Sequence, residues 1–229
     1  MKIGILTTGH KPEALPEFKT YSDMFAELLA GQNFEFVNYD VVDGVFPDHV
    51  NDADGWLITG SKHGAYEDLP WIARLEDLIR AAYDAAIPVV GICFGHQIMA
   101  QALGGRVEKF DGGWALGRTE YDFQGETLRL HAWHQDQVVT APDTARVVGR
   151  NDFCENAALV YGDRMFSLQA HPEYGADFID GLMRTRGKVV AQDRLEAARE
   201  TLGQPVDNAR LAEQIGRFFR HRDISRTGA

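Results

Sequence analysis

Residues 88–105, "PVVGICFGHQIMAQALGG", constrain this chain more than any other stretch. The apolar, β-branched run "PVVGIC" has the pattern of a strand buried on both faces, and such strands belong to parallel sheets covered by helices. "HQIMAQALGG" follows at once, reads as a helix, and is closed by Gly104 and Gly105. Strand and helix therefore meet in a tight turn with Cys93 at its apex. The five residues "GICFG" put a cysteine where serine stands in the G-x-S-x-G turn, which lifts a nucleophile to the carboxyl edge of a sheet. Gly91 and Gly95 remove side chains that would clash around such a turn. The helix start favours negative charge on the sulfur. The Phe94 N–H, one residue later, is placed to donate to a developing oxyanion. A buried structural cysteine in a strand–helix turn is the plain alternative, although it does not need a glycine on both sides.

The rest of the first half alternates in the same way. "KIGILTT", "FEFVNYDVV" and "GWLITG" read as strands, "YSDMFAELLA" and "WIARLEDLIRAAYDAA" as helices. This alternation predicts βαβ units and an α/β, doubly wound, mostly parallel central sheet with helices on both faces. The second half consists of short strand-like runs broken by turn residues: "RVEKF", "TEYDF", "TLRLHAWHQDQVVTA", "ARVVGRN", "AALVYGD" and "MFSLQAHPE". Helices fill the tail from about Asp177 to Phe219. There is no repeat or linker, so a single domain over residues 1–229 is expected. Charge and cysteine content narrow the function. A net charge of −11 disfavours nucleic acid and anionic membrane surfaces as partners. Two cysteines make no disulfide framework. The N-terminus lacks a signal-peptide pattern, and no apolar run approaches membrane-spanning length, so a cytoplasmic location is expected.

A cysteine nucleophile needs a base, and the base needs an orienting group. "SLQAHPEY" supplies both: His171 at the end of a strand, the turn residue Pro172, then Glu173. Glu173 can accept from one imidazole nitrogen while the other faces the thiol. The last strand must then return to the main sheet beside "PVVGIC". A surface turn with incidental charges is the plain alternative for His-Pro-Glu alone.

"GICFGHQ" followed later by "HPE" resembles the class I (triad) glutamine amidotransferases, over most of the chain from "KIGILTT" to "HPEY". The resemblance implies a flavodoxin-like fold. It also implies an enzyme in which Cys93 attacks the side-chain amide of glutamine or a γ-glutamyl amide, with His171 as base and then acid and Glu173 as its orienter. A γ-glutamyl thioester would form and be hydrolysed. By the same resemblance "LITGSKHGAY" supplies a second oxyanion-hole amide, for which Gly60 is the candidate. Gln97 helps to hold the amino-acid end of the substrate. Trp133, His134, Gln135 and Asp136, in "AWHQDQV", form the segment that grips its α-amino and α-carboxylate groups. Gln135 stands where the family often has glycine.

Other features are set aside. His131 and His134 are three apart on a strand and face opposite ways, so no metal is expected. "TGHKPE" is not a phosphate loop, and no nucleotide or other cofactor is expected. Cys154 has no glycine frame. Relatives of this kind usually pass ammonia to a synthetase, and the residues after "HPEY" contain none, which leaves three readings. The chain hydrolyses γ-glutamyl amines or glutathione-type conjugates alone, as a γ-glutamyl peptidase does; it is the glutaminase subunit of a separate synthetase; or it is a non-catalytic regulatory module. "GICFGHQIMAQALGG" and "GGWALG" are similar to stand-alone GMP-synthase-like members and γ-glutamyl peptidases, which favours the first. The intact Cys93, His171 and Glu173 set argues against the last.

Overall fold

The computed structural model describes residues 1–224. Its first half runs β1 (Lys2–Leu6), α1 (Tyr21–Leu28), β2 (Glu35–Tyr39), β3 (Gly55–Ile58), α2 (Pro70–Asp84), β4 (Val89–Ile92) and α3 (Phe94–Ala102). Seven further strands follow: β5 (Arg106–Lys109), β6 (Ala115–Phe123), β7 (Glu126–His134), β8 (Asp136–Thr140), β9 (Arg146–Arg150), β10 (Ala158–Tyr161) and β11 (Met165–Leu168). Three helices close the chain, α4 (Ala176–Arg186), α5 (Gln192–Thr201) and α6 (Asn208–His221), so the tail is helical as expected.

Among the described residues the main sheet has nine strands in the order β2-β1-β3-β4-β11-β10-β9-β6-β7. From β2 to β11 neighbouring strands are parallel, and from β11 to β7 they are antiparallel. The four added strands β6, β7, β9 and β10 thus lengthen the doubly wound sheet by hairpin-like pairing. The long run "TLRLHAWHQDQVVTA" is not one strand. It breaks at Gln135 into β7, which stays in the main sheet, and β8, which leaves it to pair with β5.

The central strands β3, β4, β10 and β11 are buried on both sides, and side chains alternate between the two sides as the period-2 geometry of strands requires. Ile3, Ile5, Leu57, Val90 and Phe166 face a layer that includes Phe25 and Leu29 near α1 and Leu211, Ile215, Phe218 and Phe219 of α6. Leu6, Trp56, Ile58, Val89 and Met165 face the opposite layer, which holds Ile72, Leu75 and Ile79 of α2 and Phe94, Ile98 and Met99 of α3. A third cluster joins α4 and α5 to Tyr21, Trp133 and Tyr174 at one end. Sequence and structure agree on the central point for the site: β11 lies parallel beside β4, with Ser167 opposite Gly91 and Leu168 opposite Ile92. The carboxyl ends of these two strands carry Cys93 and, three residues past Leu168, His171.

Candidate active site

Cys93 caps α3 with φ 55° and ψ −104°, a conformation that L residues rarely adopt. Such a residue persists only where its surroundings determine it. Here the Cys93 N–H donates to the Leu168 carbonyl at 2.9 Å, its carbonyl accepts from the Gln97 N–H at 3.1 Å, and the Gly95 N–H donates to the Thr59 carbonyl at 3.1 Å. The flanking glycines are sterically required. A β-carbon at Gly91 would lie 2.3 Å from Met99 Sδ, and one at Gly95 would lie 2.4 Å from the Ile58 carbonyl oxygen. The turn is therefore pinned between β3, β11 and the first turn of α3.

His171 follows β11, and its N–H donates to the His131 carbonyl at 2.8 Å. Its Nδ1 lies 2.7 Å from Glu173 Oε1, with both side chains almost fully buried. Burial opposes the charged imidazole, but the Glu173 carboxylate and the Cys93 sulfur outweigh it and push the His171 pKa up to about 10. The Tyr174 ring stacks on the imidazole, with centroids 4.0 Å apart and planes 7° from parallel. Sequence reasoning stopped at Glu173. The aromatic next to it in "HPEY" was visible, but nothing local says that its ring lies flat on the histidine.

Gly60 sits directly over this pair. A β-carbon there would lie 3.1 Å from His171 Cε1 and 3.7 Å from Cys93 Cβ. The loop that carries Gly60 is held by a buried network that the sequence did not reveal. The Thr8 N–H donates to Thr59 Oγ1 at 3.0 Å, and the Thr8 hydroxyl lies 2.9 Å from the Thr59 carbonyl oxygen and 3.0 Å from that of Gly60. Ser61 Oγ donates to the Thr8 carbonyl at 2.7 Å. The Thr59 carbonyl oxygen accepts from the Gly95 N–H at 3.1 Å, and the Gly60 N–H of the same trans peptide points the opposite way. Phe94 opens α3, so its N–H has no acceptor within the helix.

Cys93, His171 and Tyr174 border a cavity of about 620 Å³, whereas Gly60, Phe94 and Glu173 lie behind its lining. Cys93, Gln97, Trp133, His134, Gln135, Asp136 and His171 all line it, so the structure brings these residues, read from three distant segments, to one place. Their groups are not equally free. Gln97 Nε2 donates to the Asp136 carbonyl at 2.9 Å and to Gln169 Oε1 at 3.1 Å, which ties α3 to the start of β8. Gln135 Nε2 donates to the Phe110 carbonyl. Trp133 packs against Trp114. His134 lies with Nδ1 3.2 Å from the Asp136 carbonyl oxygen, so that nitrogen carries the proton and Nε2 the lone pair. Nε2 is buried and has no hydrogen-bond partner among the described residues. Burial, then the nearby His171, lowers the His134 pKa to about 3, so this ring is neutral at physiological pH. Burial also raises the Asp136 pKa.

The arrangement is a buried thiol beside a buried imidazole–carboxylate pair, with Gly60 packed against both, at the edge of a cavity. A model of the family described as glutamine amidotransferase class-I matches residues 30–180, well over half of the chain. The chain belongs to the class I glutamine amidotransferase family. Among relatives, it is 29% identical to γ-glutamyl peptidase 4 of Arabidopsis thaliana, over 96% of this chain and 95% of that protein. It is 33% identical to one subunit of the glutamine-hydrolysing GMP synthase of Methanopyrus kandleri, over 45% of this chain and 63% of that protein. A solved structure of a glutamine amidotransferase from Thermotoga maritima has the same fold, with a TM-score of 0.74 at 22% identity, covering 96% of this chain and 97% of that one. No helix among the described residues is long and apolar enough to cross a membrane.

Proposed function

We propose that this amidotransferase-family chain is a cysteine hydrolase of γ-glutamyl amides that acts as one domain without a synthetase. The observation that carries the reading is the buried His171–Glu173 pair, set beside the strained Cys93 beneath Gly60. Cys93 Sγ attacks the amide carbon of the substrate. The carbonyl oxygen takes up the developing negative charge and is met by the Gly60 and Phe94 N–H groups. His171, which retains its proton because of Glu173 and the sulfur, gives that proton to the leaving nitrogen as the C–N bond breaks. Ammonia or an amine departs and a γ-glutamyl thioester remains. Water then attacks the thioester with His171 as base, the C–S bond breaks, and glutamate is released. Tyr174 keeps the imidazole plane fixed through both steps, a stacked contact of roughly 0.5–1.5 kcal/mol.

The γ-glutamyl head is assigned to the wall formed by Trp133, His134, Gln135 and Asp136. His134, neutral and with its Nε2 buried, backs that wall rather than contacting the head. Gln97 acts indirectly, by holding the Asp136 carbonyl in place. The near full-length similarity to a γ-glutamyl peptidase favours the stand-alone reading. The similarity to GMP synthase subunits supports a second, in which the chain is the glutaminase component of a separate synthetase. The test is the purified chain alone, offered glutamine, γ-glutamyl amines and γ-glutamyl peptides, with release of glutamate measured. Robust release that vanishes in Cys93→Ala supports the stand-alone reading. Turnover that appears only when a synthetase is added favours the second reading, and none under either condition rejects both.

A further inference from the structure

The cavity is larger than one γ-glutamyl head requires; its volume of about 620 Å³ lies within the range of sites that enclose much bigger ligands. Its charged lining is unevenly distributed. On the side of the 61–67 loop and the β5–β8 pair, Glu67 and Asp136 face Lys62 and Lys109. The charges there offset one another: Lys62 acts on Glu67 and Lys109 on Asp136, and Glu67 is also held by His63 and the Gly64 N–H. The side formed by the end of α4 is different. Arg186 and Lys188 line the cavity there with Thr185, and no carboxylate of that segment does. Neither cation makes a hydrogen bond or ion pair among the described residues. The neighbouring Arg184 points elsewhere and pairs with Asp180 at 2.9 Å. Basic residues at the C-terminal end of a helix suit its dipole, but that reason applies equally to Arg184 and does not explain why two cations border the cavity. In a chain of net charge −11, an uncompensated positive wall beside the candidate nucleophile is a local exception.

We infer that Arg186 and Lys188 form a leaving-group subsite that binds an anionic group, a carboxylate, on the amine released from the γ-glutamyl head. This rests on the γ-glutamyl hydrolase reading and on placing the head against Trp133–Asp136. The substrate class is then a γ-glutamyl amide of an amino acid or short peptide with a free carboxylate, rather than glutamine, whose leaving group is neutral ammonia. Arg186 is the stronger anchor because its planar guanidinium can take a carboxylate bidentately. Lys188, at the exposed lip, contributes attraction that salt screens.

The test compares two substrates that differ only in the charge of the leaving amine, γ-glutamylglycine and γ-glutamylglycinamide. The wild-type chain is expected to favour the carboxylate in kcat/KM by about tenfold, the size of one partly exposed charge-assisted contact. The preference should lie in KM and shrink in roughly 0.5 M salt, which shortens the Debye length well below that at physiological strength. In Arg186→Gln the ratio should fall towards one, and Arg186→Lys should restore part of it. If Arg186 instead held the α-carboxylate of the head, both substrates would suffer equally and the ratio would stay at its wild-type value, which would overturn the subsite. A wild-type ratio near one would do the same while leaving the hydrolase reading intact. No turnover of either compound by the wild-type chain would remove the hydrolase reading and the subsite with it.

Discussion

Adding one methyl group at Gly60 tests the core of the site. The new β-carbon would crowd His171 Cε1 at 3.1 Å, and the loop cannot retreat because Thr8 and Ser61 hold it. Gly60→Ala is expected to lower kcat by about 10²-fold, comparable to losing one oxyanion donor, with little change in melting temperature. Near wild-type rates would remove Gly60 from the site. The two thiols provide a second check. Burial pushes the Cys154 pKa up to about 12, whereas Cys93 borders the cavity. Iodoacetamide at neutral pH should alkylate Cys93 in the folded chain well before Cys154, as peptide mapping would reveal, and the reverse order would sink the assignment. That Cys93, His171 and Glu173 would come together was legible from the sequence because each lies in a short stretch whose local geometry carries the meaning. A glycine frame needs only five residues, and a histidine two places before a glutamate needs three. Tyr174 stacking, the free Nε2 of His134 and the cationic wall of Arg186 and Lys188 were not legible, because each depends on what a distant segment brings opposite.

At the scale of elements, the part that positions the candidate oxyanion donor is the end of β1, not β3 alone. Thr8 is separated from its partners Thr59 and Gly60 by 51 and 52 residues, and no spacing rule reaches so far. "TGHKPE" was legible only as something that is not a phosphate loop. Thr8→Val keeps the shape and removes the hydroxyl, leaving the Thr59 carbonyl with the Gly95 N–H and the Gly60 carbonyl with only the longer 3.3 Å contact to Thr59 Oγ1. It should cost about 1–3 kcal/mol of stability by denaturant titration and lower kcat with little effect on KM. An unchanged kcat would limit Thr8 to a purely structural role. Alternating helices and strands exposed the parallel half of the sheet, since each element there carries its own period. The antiparallel half was less legible. β7 and β8 are separated by Gln135 alone and share one alternating pattern, so only the pairing of β8 with β5 separates them.

Over the whole molecule, buried histidines set the response to pH in two opposite directions. Burial holds the His96 pKa down at about 3, helped by His134, which is itself held at about 3. Both bind their protons more readily when unfolded, so their contribution to stability is complete above about pH 6.5 and is lost as pH falls towards 3. Stability should fall on acidification with a slope of up to about 1.4 kcal/mol per pH unit for each histidine, and His96→Leu should make that slope shallower even if it lowers stability at neutral pH. His171 has the opposite sign. Its raised pKa contributes stability that is full below about pH 6.5 and is lost as pH rises through about 10. The stability gap between the wild-type chain and Glu173→Gln should therefore narrow at alkaline pH, and a gap that is constant from about pH 6.5 to 10 would contradict a charged His171–Glu173 pair. The insertion of β5 to β10 between β4 and β11 has a consequence in time. On a ribosome, Cys93 emerges long before the strand that carries His171. At about 5–20 residues per second, the nascent thiol waits several seconds for its base and carboxylate. During that interval β4 has an unpaired edge where β11 will dock, and Cys93 lacks His171 and Glu173 beside it. On the proposed mechanism a half-made chain cannot hydrolyse anything, and activity begins only when the last strand closes beside the fourth.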